Sequence, residues 1–201
     1  MNIATPEQIH HFWFGTLDSD GCADTVHRQR WFQPDAQFDK EIGERFAQTL
    51  DAAHNDELDH WHDEAASWLS FILLCDQFPR NMFRNHAKAF ASDALARKAV
   101  MLGLERGYDE ALTLDEKAFA FLPFEHSENR VDQFLSVGLY TSLRDHAPSS
   151  QKSTAGNYLR YAQQHRDVIL RFDRFPHRNA ALARASSAAE LAYLADGGGF
   201  R

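Results

Sequence analysis

Apolar positions along the chain recur at spacings of three and four, and the alternation expected of strands is nearly absent. Thr5-Pro6-Glu7-Gln8 reads as an N-cap, a proline at the first helical position and a capping-box glutamine. They lead into Ile9, Phe12 and Trp13 and a stop at Gly15. Residues 35–50 place Phe38, Ile42, Phe46 and Leu50 four apart on one face. Residues 61–78 are apolar nearly all round in their second half, which predicts a helix at the centre of the packing. Ser92 opens a helix that ends by Gly107, and a short aromatic one over 115–122 is stopped by Pro123. Ser127 is expected to cap the next, with Glu128 in its first turn and Val131, Leu135, Leu139 and Leu143 as its buried stripe. Over 154–172 the stripe is Tyr158, Ala162, His165, Ile169 and Phe172, with His165 expected to be a core or interface histidine. A last helix near 187–194 runs into Gly197-Gly198-Gly199, a flexible end. The pattern predicts an all-α antiparallel array, with residues 1–201 as a single domain.

Two segments nearly repeat each other: "DQFPRN" at 76–81 and "DRFPHRN" at 173–179. Proline lacks a donor and pushes the preceding residue out of the helical region, so Phe78 and Phe175 are expected to be helix ends. "LPFEHS" at 122–127 is a third such elbow, with Glu125 and His126 between Pro123 and Ser127. If successive helices alternate in direction, as short connections favour, all three elbows fall at one end of the array. That end would gather Asp76, Arg80, Asn81, Glu125, His126, Asp173, Arg174, His177, Arg178 and Asn179.

Composition narrows the partners. The net charge of −8 opposes non-specific nucleic-acid binding. Residues 1–70 hold 14 acidic and 4 basic residues, and arginines 160, 166, 171, 174, 178 and 184 crowd the later part of the chain. The longest apolar run, 68–75, is too short to span a bilayer, and the first residues lack a basic leader, so a cytoplasmic protein away from membranes is expected. Cys22 and Cys75 are far apart in sequence and suggest neither a disulfide framework nor a zinc site. His60-x-His62-Asp63-Glu64 offers ligand types, but residues 60 and 62 point apart on a helix, so no metal and no cofactor is expected. The four tryptophans are spread out and read as core.

Three functions suit the elbow residues. Arg80, Asn81, Arg178, Asn179 and Asp76 could recognise a small anionic molecule or an acidic peptide in a polar pocket, which is the preferred reading. In the second, a hydrolase or lyase uses His126 or His177 as a general base oriented by Glu125, with Arg80 and Arg178 as anion clamps. No nucleophile elbow, Walker loop or HExxH helix accompanies them. In the third, the polar residues only satisfy helix junctions, Glu125 pairs with Arg130 or Arg178, and the protein is an interaction scaffold. Oligomeric state is not legible.

"FWFG" (12–15), "RWF" (30–32), "LLCDQFPRNMFR" (73–84), "AFASDALA" (89–96), "LPFEHSENRVDQ" (122–133) and "RFDRFPHRNAALAR" (171–184) follow one another in a specific order. Together they resemble the bacterial family called domain of unknown function 924, over essentially the whole chain. The resemblance implies a TPR-like helical array and brings no activity with it. No 34-residue TPR consensus is readable, so the likeness concerns shape alone. Asp173 stands where the family more often places glycine.

Overall fold

A computed structural model describes residues 3–200, and every regular element among them is helical. The chain divides into two compact units. The first is built from the chain up to Arg84 together with Lys88–Pro123, the second from Asn85–Ala87 and the chain from Phe124 onward.

In the first unit, helix α1 spans Pro6–Phe14 and starts with the capping box: the Thr5 side chain accepts from the Gln8 amide while the Gln8 side chain accepts from Thr5. Helices α2 (Thr25–Phe32) and α3 (Ala36–His54) are capped by Asp24 and Asp35. Phe38, Ile42, Phe46 and Leu50 are buried as their spacing predicts. They meet an aromatic cluster from α1. Phe12 stacks on Phe38 at 5.2 Å between ring centroids and meets Phe46 edge-on at 5.0 Å, and Trp13 lies edge-on to Phe119 at 5.4 Å. Helix α4 (Ala65–Ile72) packs on α1 and on α6 (Asp93–Glu105). Gly103 of α6 makes that approach, since a methyl group there would lie 2.1 Å from the Trp68 ring.

Phe78 does not end a helix. A π turn over Leu73–Gln77 joins α4 to α5 (Phe78–Met82), and the Phe78 amide reaches the Leu73 carbonyl five residues back. The wider turn gives the Pro79 ring room that an ordinary helical carbonyl would deny it. The Asp76 carbonyl is taken by the Arg80 guanidinium at 2.6 Å. Pro123 likewise sits inside helix α7 (Leu114–Glu125), near enough to its end to cost only one bond. Both helix ends therefore fall later than the prolines, at Met82 and at Glu125.

In the second unit, α8 (Arg130–His146) and α9 (Lys152–Phe172) pack along each other, and α10 (Ala188–Ala195) follows. The cap of α8 is Asn129, whose side chain accepts from the Val131 amide at 2.7 Å. Ser127 instead donates to Asp132 at 2.6 Å. The predicted stripe holds at Leu143, which is buried, but is rotated in the first turns: Val131 is 74% exposed and Leu135 38%, while Gln133, Ser136 and Tyr140 are buried. Gln133 explains the rotation. Its side-chain amide donates to the carbonyls of Glu125 and Ser127, both at 2.7 Å, and thereby satisfies acceptors freed where α7 ends. Helix α9 buries Leu159, Ala162, His165, Val168 and Ile169. It ends at Phe172 because Asp173 is left-handed, with φ of 59°, a conformation that favours glycine. Phe175 lies beyond this end in extended backbone, fully buried against Val168 and Ile169.

The glycine segment is held in place. The Gly198 amide donates to the Tyr193 carbonyl at 2.9 Å and the Gly199 amide to the Tyr193 hydroxyl at 3.0 Å, which sets Phe200 against the core of this unit.

Candidate functional site

The residues of the first elbow form a buried ion cluster in the first unit. The Arg80 guanidinium lies 2.9 Å from Asp93 and 3.2 Å from the carboxylate of Asp76, which also accepts from Gln77 at 2.6 Å. Burial opposes the charge of Arg80, but Asp76 and Asp93 outweigh it and raise its pKa. Asn81 turns elsewhere and donates to Asp39 at 2.8 Å, a carboxylate that Arg84 also holds. The sequence-predicted anion clamp at Arg80 is thus already occupied by carboxylates of the chain itself.

The second unit assembles Glu125, His126, His177 and Arg178 with a histidine that the sequence assigns to packing. The Nδ1 of His165, 6% exposed, lies 3.0 Å from the Glu125 carboxylate and 2.8 Å from the Tyr161 carbonyl. Both neighbours only accept, so Nδ1 carries the proton and Nε2 is the basic nitrogen of the neutral ring. One expected partner of Glu125 goes elsewhere. Arg130 pairs with Asp173, an exposed contact at 2.6 Å. The His126 ring stands 6.1 Å from the His165 ring.

His177 and Arg178 follow from the three-residue turn Pro176–Arg178. Arg178 is 6% exposed and lays its guanidinium 4.4 Å above the Phe175 ring. Burial first, and then the charge of Arg178, pushes His177 down to about 3, so that ring is neutral at physiological pH. Its Nδ1 is buried with no hydrogen-bond partner among the described residues. His165 and His177 both face Phe175, at 5.5 and 5.6 Å.

Other polar residues of this segment hold the loop. Glu128 accepts from the Phe175 amide at 2.8 Å and from Arg184 at 2.7 Å. Burial works against the Glu128 charge, but these bonds and the nearby Arg178 lower its pKa. Asn179 donates to Ser186 at 3.0 Å and accepts from Arg184 at 3.0 Å, and Arg174 grips Glu190 at 2.6 and 2.8 Å. Asn179 and Arg174 are accordingly fasteners of the loop leading to α10. Asp173 serves as the helix end. Among the described residues no three His, Cys, Asp or Glu side chains are grouped to hold a metal ion. No helix among them is long and apolar enough to cross a membrane.

The only sequence signal for His165 was a histidine on an otherwise apolar stripe, which requires a buried partner without naming it. Nothing in the sequence placed Phe200 beside it.

Fold and side chains define an all-α protein carrying a buried glutamate–histidine pair among packed histidine and phenylalanine rings. The chain belongs to the family described as "Bacterial protein of unknown function (DUF924)", whose model matches residues 9–198. A solved structure, that of the protein of unknown function ATU0120 from Agrobacterium tumefaciens, is similar to it. The two are 36% identical, the match covers 96% of this chain and 97% of that one, and the TM-score is 0.80. No curated protein matches.

Proposed function

We propose that the second unit binds a small anionic molecule beside Arg178 and that Glu125 and His165 act on it as an acid–base pair, in hydrolysis or elimination. The observation that carries this is the pairing of Glu125 with Nδ1 of His165. A buried carboxylate that fixes the tautomer leaves Nε2 as a base and stabilises the imidazolium formed when it takes a proton. His177, kept neutral, supplies a nitrogen able to hydrogen-bond a ligand without adding charge. Arg178 supplies the positive field, felt by both His177 and Glu128. His126 lies alongside as a second proton carrier. The protein would work in the cytoplasm as a TPR-like array without nucleic-acid partners, in keeping with its net charge of −8.

The scaffold reading has its own support in the carboxylates that engage Arg80, Arg174 and Arg184. The test separates the two. Wild type, Arg178→Lys and His165→Gln are screened by thermal shift against carboxylates and phosphate esters, and each hit is assayed for turnover. A carboxylate or phosphate ester should raise the melting point of wild type, lose affinity in Arg178→Lys, and react about 100-fold more slowly with His165→Gln. If no such compound shifts wild type, the binding reading fails and the scaffold reading stands.

A further inference from the structure

Phe200 does more than complete the core. Its ring lies parallel to the His165 imidazole, with centroids 3.4 Å apart and planes inclined by 12°. It stands edge-on to Phe175 at 6.0 Å and to His177 at 5.8 Å. Three rings therefore surround a flat space, with the glutamate-held histidine as one wall. Such a box suits a planar π system: parallel stacking on one face and edge contacts at the rim are the arrangements that ring quadrupoles favour. On the His177 ring that borders the box, Nδ1 is buried without a hydrogen-bond partner among the described residues, a polar demand that a phenyl ring does not meet.

The segment that delivers Phe200 is suited to withdraw it. Gly197 and Gly199 have φ of 82° and 108°, which other residues adopt only with strain. A methyl group on Gly198 would lie 2.5 Å from the Tyr193 carbonyl. Three amide hydrogen bonds, from Gly197 to the Leu194 carbonyl and from Gly198 and Gly199 to Tyr193, and the ring contacts hold the strap down, and each of these bonds adds only about 0.5–1.5 kcal/mol net.

We propose that Phe200 occupies the seat of a ligand ring: the space between His165, Phe175 and His177 accepts a planar aromatic or heteroaromatic acid, and residues 197–199 are the hinge on which Phe200 leaves. This deepens the reading of the second unit as an anion site and rests on it for the acidic group, placed towards Arg178. The ring contacts themselves are independent of that reading. A seat filled by the chain's own side chain lowers apparent affinity by the fraction of time it is filled.

Benzoate and cyclohexanecarboxylate serve as probes, since they share charge and approximate size and differ in planarity. Binding is followed through the imidazole resonances of His165 and His177 in histidine-labelled wild type, Phe200→Ala and Phe200→Trp. Benzoate should bind Phe200→Ala about ten-fold more tightly than wild type, and Phe200→Trp, which keeps a ring in the seat, should not gain. Cyclohexanecarboxylate should bind Phe200→Ala about three- to ten-fold more weakly than benzoate does, because it cannot stack. In wild type, saturating benzoate should abolish the nuclear Overhauser contact between the Phe200 and His165 rings, a readout that does not depend on any variant folding. Persistence of that contact at saturation, equal benzoate affinity in wild type and Phe200→Ala, or equal affinity for the two acids would each overturn the proposal. Benzoate binding that survives in Phe200→Ala while no compound is turned over would retain the seat and remove the acid–base reading. Turnover lost in His165→Gln without benzoate discrimination would do the reverse.

Discussion

Arg80 carries its charge between Asp76 and Asp93 with its side chain only 17% exposed. Removing one member of a buried ion cluster leaves the others charged and uncompensated, which costs about 3–5 kcal/mol. Arg80→Ala is therefore expected to lower stability by about 3 kcal/mol in urea unfolding. Combining it with Asp93→Asn should recover part of that loss. A stability within about 0.5 kcal/mol of wild type would show the cluster to be energetically idle. His165 yields a spectroscopic prediction. Two acceptors at Nδ1 require the proton there, so nitrogen NMR at neutral pH should show the Nδ1–H tautomer. Glu125→Gln should weaken that preference. Finding the proton on Nε2 of wild type would contradict the pairing. Glu125 and His177 were legible as chemistry from the sequence because they lie within two residues of prolines, in segments that read as elbows. His165 was not, because its partner comes from a residue 40 positions earlier, through a packing of α9 that no local pattern specifies.

Elements follow local rules where their ends are polar and lose them where packing intervenes. The Thr5 and Ser187 capping boxes are both formed as residue pairs three apart predict. The prolines at 79 and 123 are the counterexample. Both read as stops, yet the chain passes through them as helix, the first by a π turn and the second because so few bonds remain beyond it. Burial at the start of α8 followed the need of the α7 carbonyls for the Gln133 amide, and Val131 and Leu135 of the apolar stripe were left exposed. Where two helices approach closely, the tolerance is small. Gly103→Ala would press a methyl group into Trp68, whose indole donates to the Ala99 carbonyl at 2.6 Å. An overpacked contact of this kind costs about 1–3 kcal/mol. Thermal unfolding should register the loss, and Trp68→Phe in the same background should relieve some of it. An unchanged melting point for Gly103→Ala would mean that α4 and α6 separate freely.

For the molecule as a whole, acid acts through groups whose pKa values are held low. His177 drops from 6.5 to about 3 through burial and Arg178, and burial also lowers His62. Below about pH 6.5 the unfolded chain binds protons that the folded chain refuses, so stability falls as pH falls. Each such histidine contributes at most about 1.4 kcal/mol per pH unit. Glu116 and Glu128, also lowered, add to the loss only below their usual value of 4.5. Urea unfolding between pH 7 and 5 should show this decline, and His177→Gln should reduce its slope by about one proton. An identical slope in the variant would place the lost protons elsewhere. The helical class, the Thr5 cap, the aromatic make-up of the core and the family are all legible in the sequence, because propensity, periodicity and capping are short-range properties written into neighbouring residues. Tertiary structure alone decided that Arg80 is neutralised, that Glu125 meets His165 and that Phe200 closes over it. Those pairings depend on distant residues brought together by packing, and burial then fixes which polar atoms find partners and which are left to bind something else.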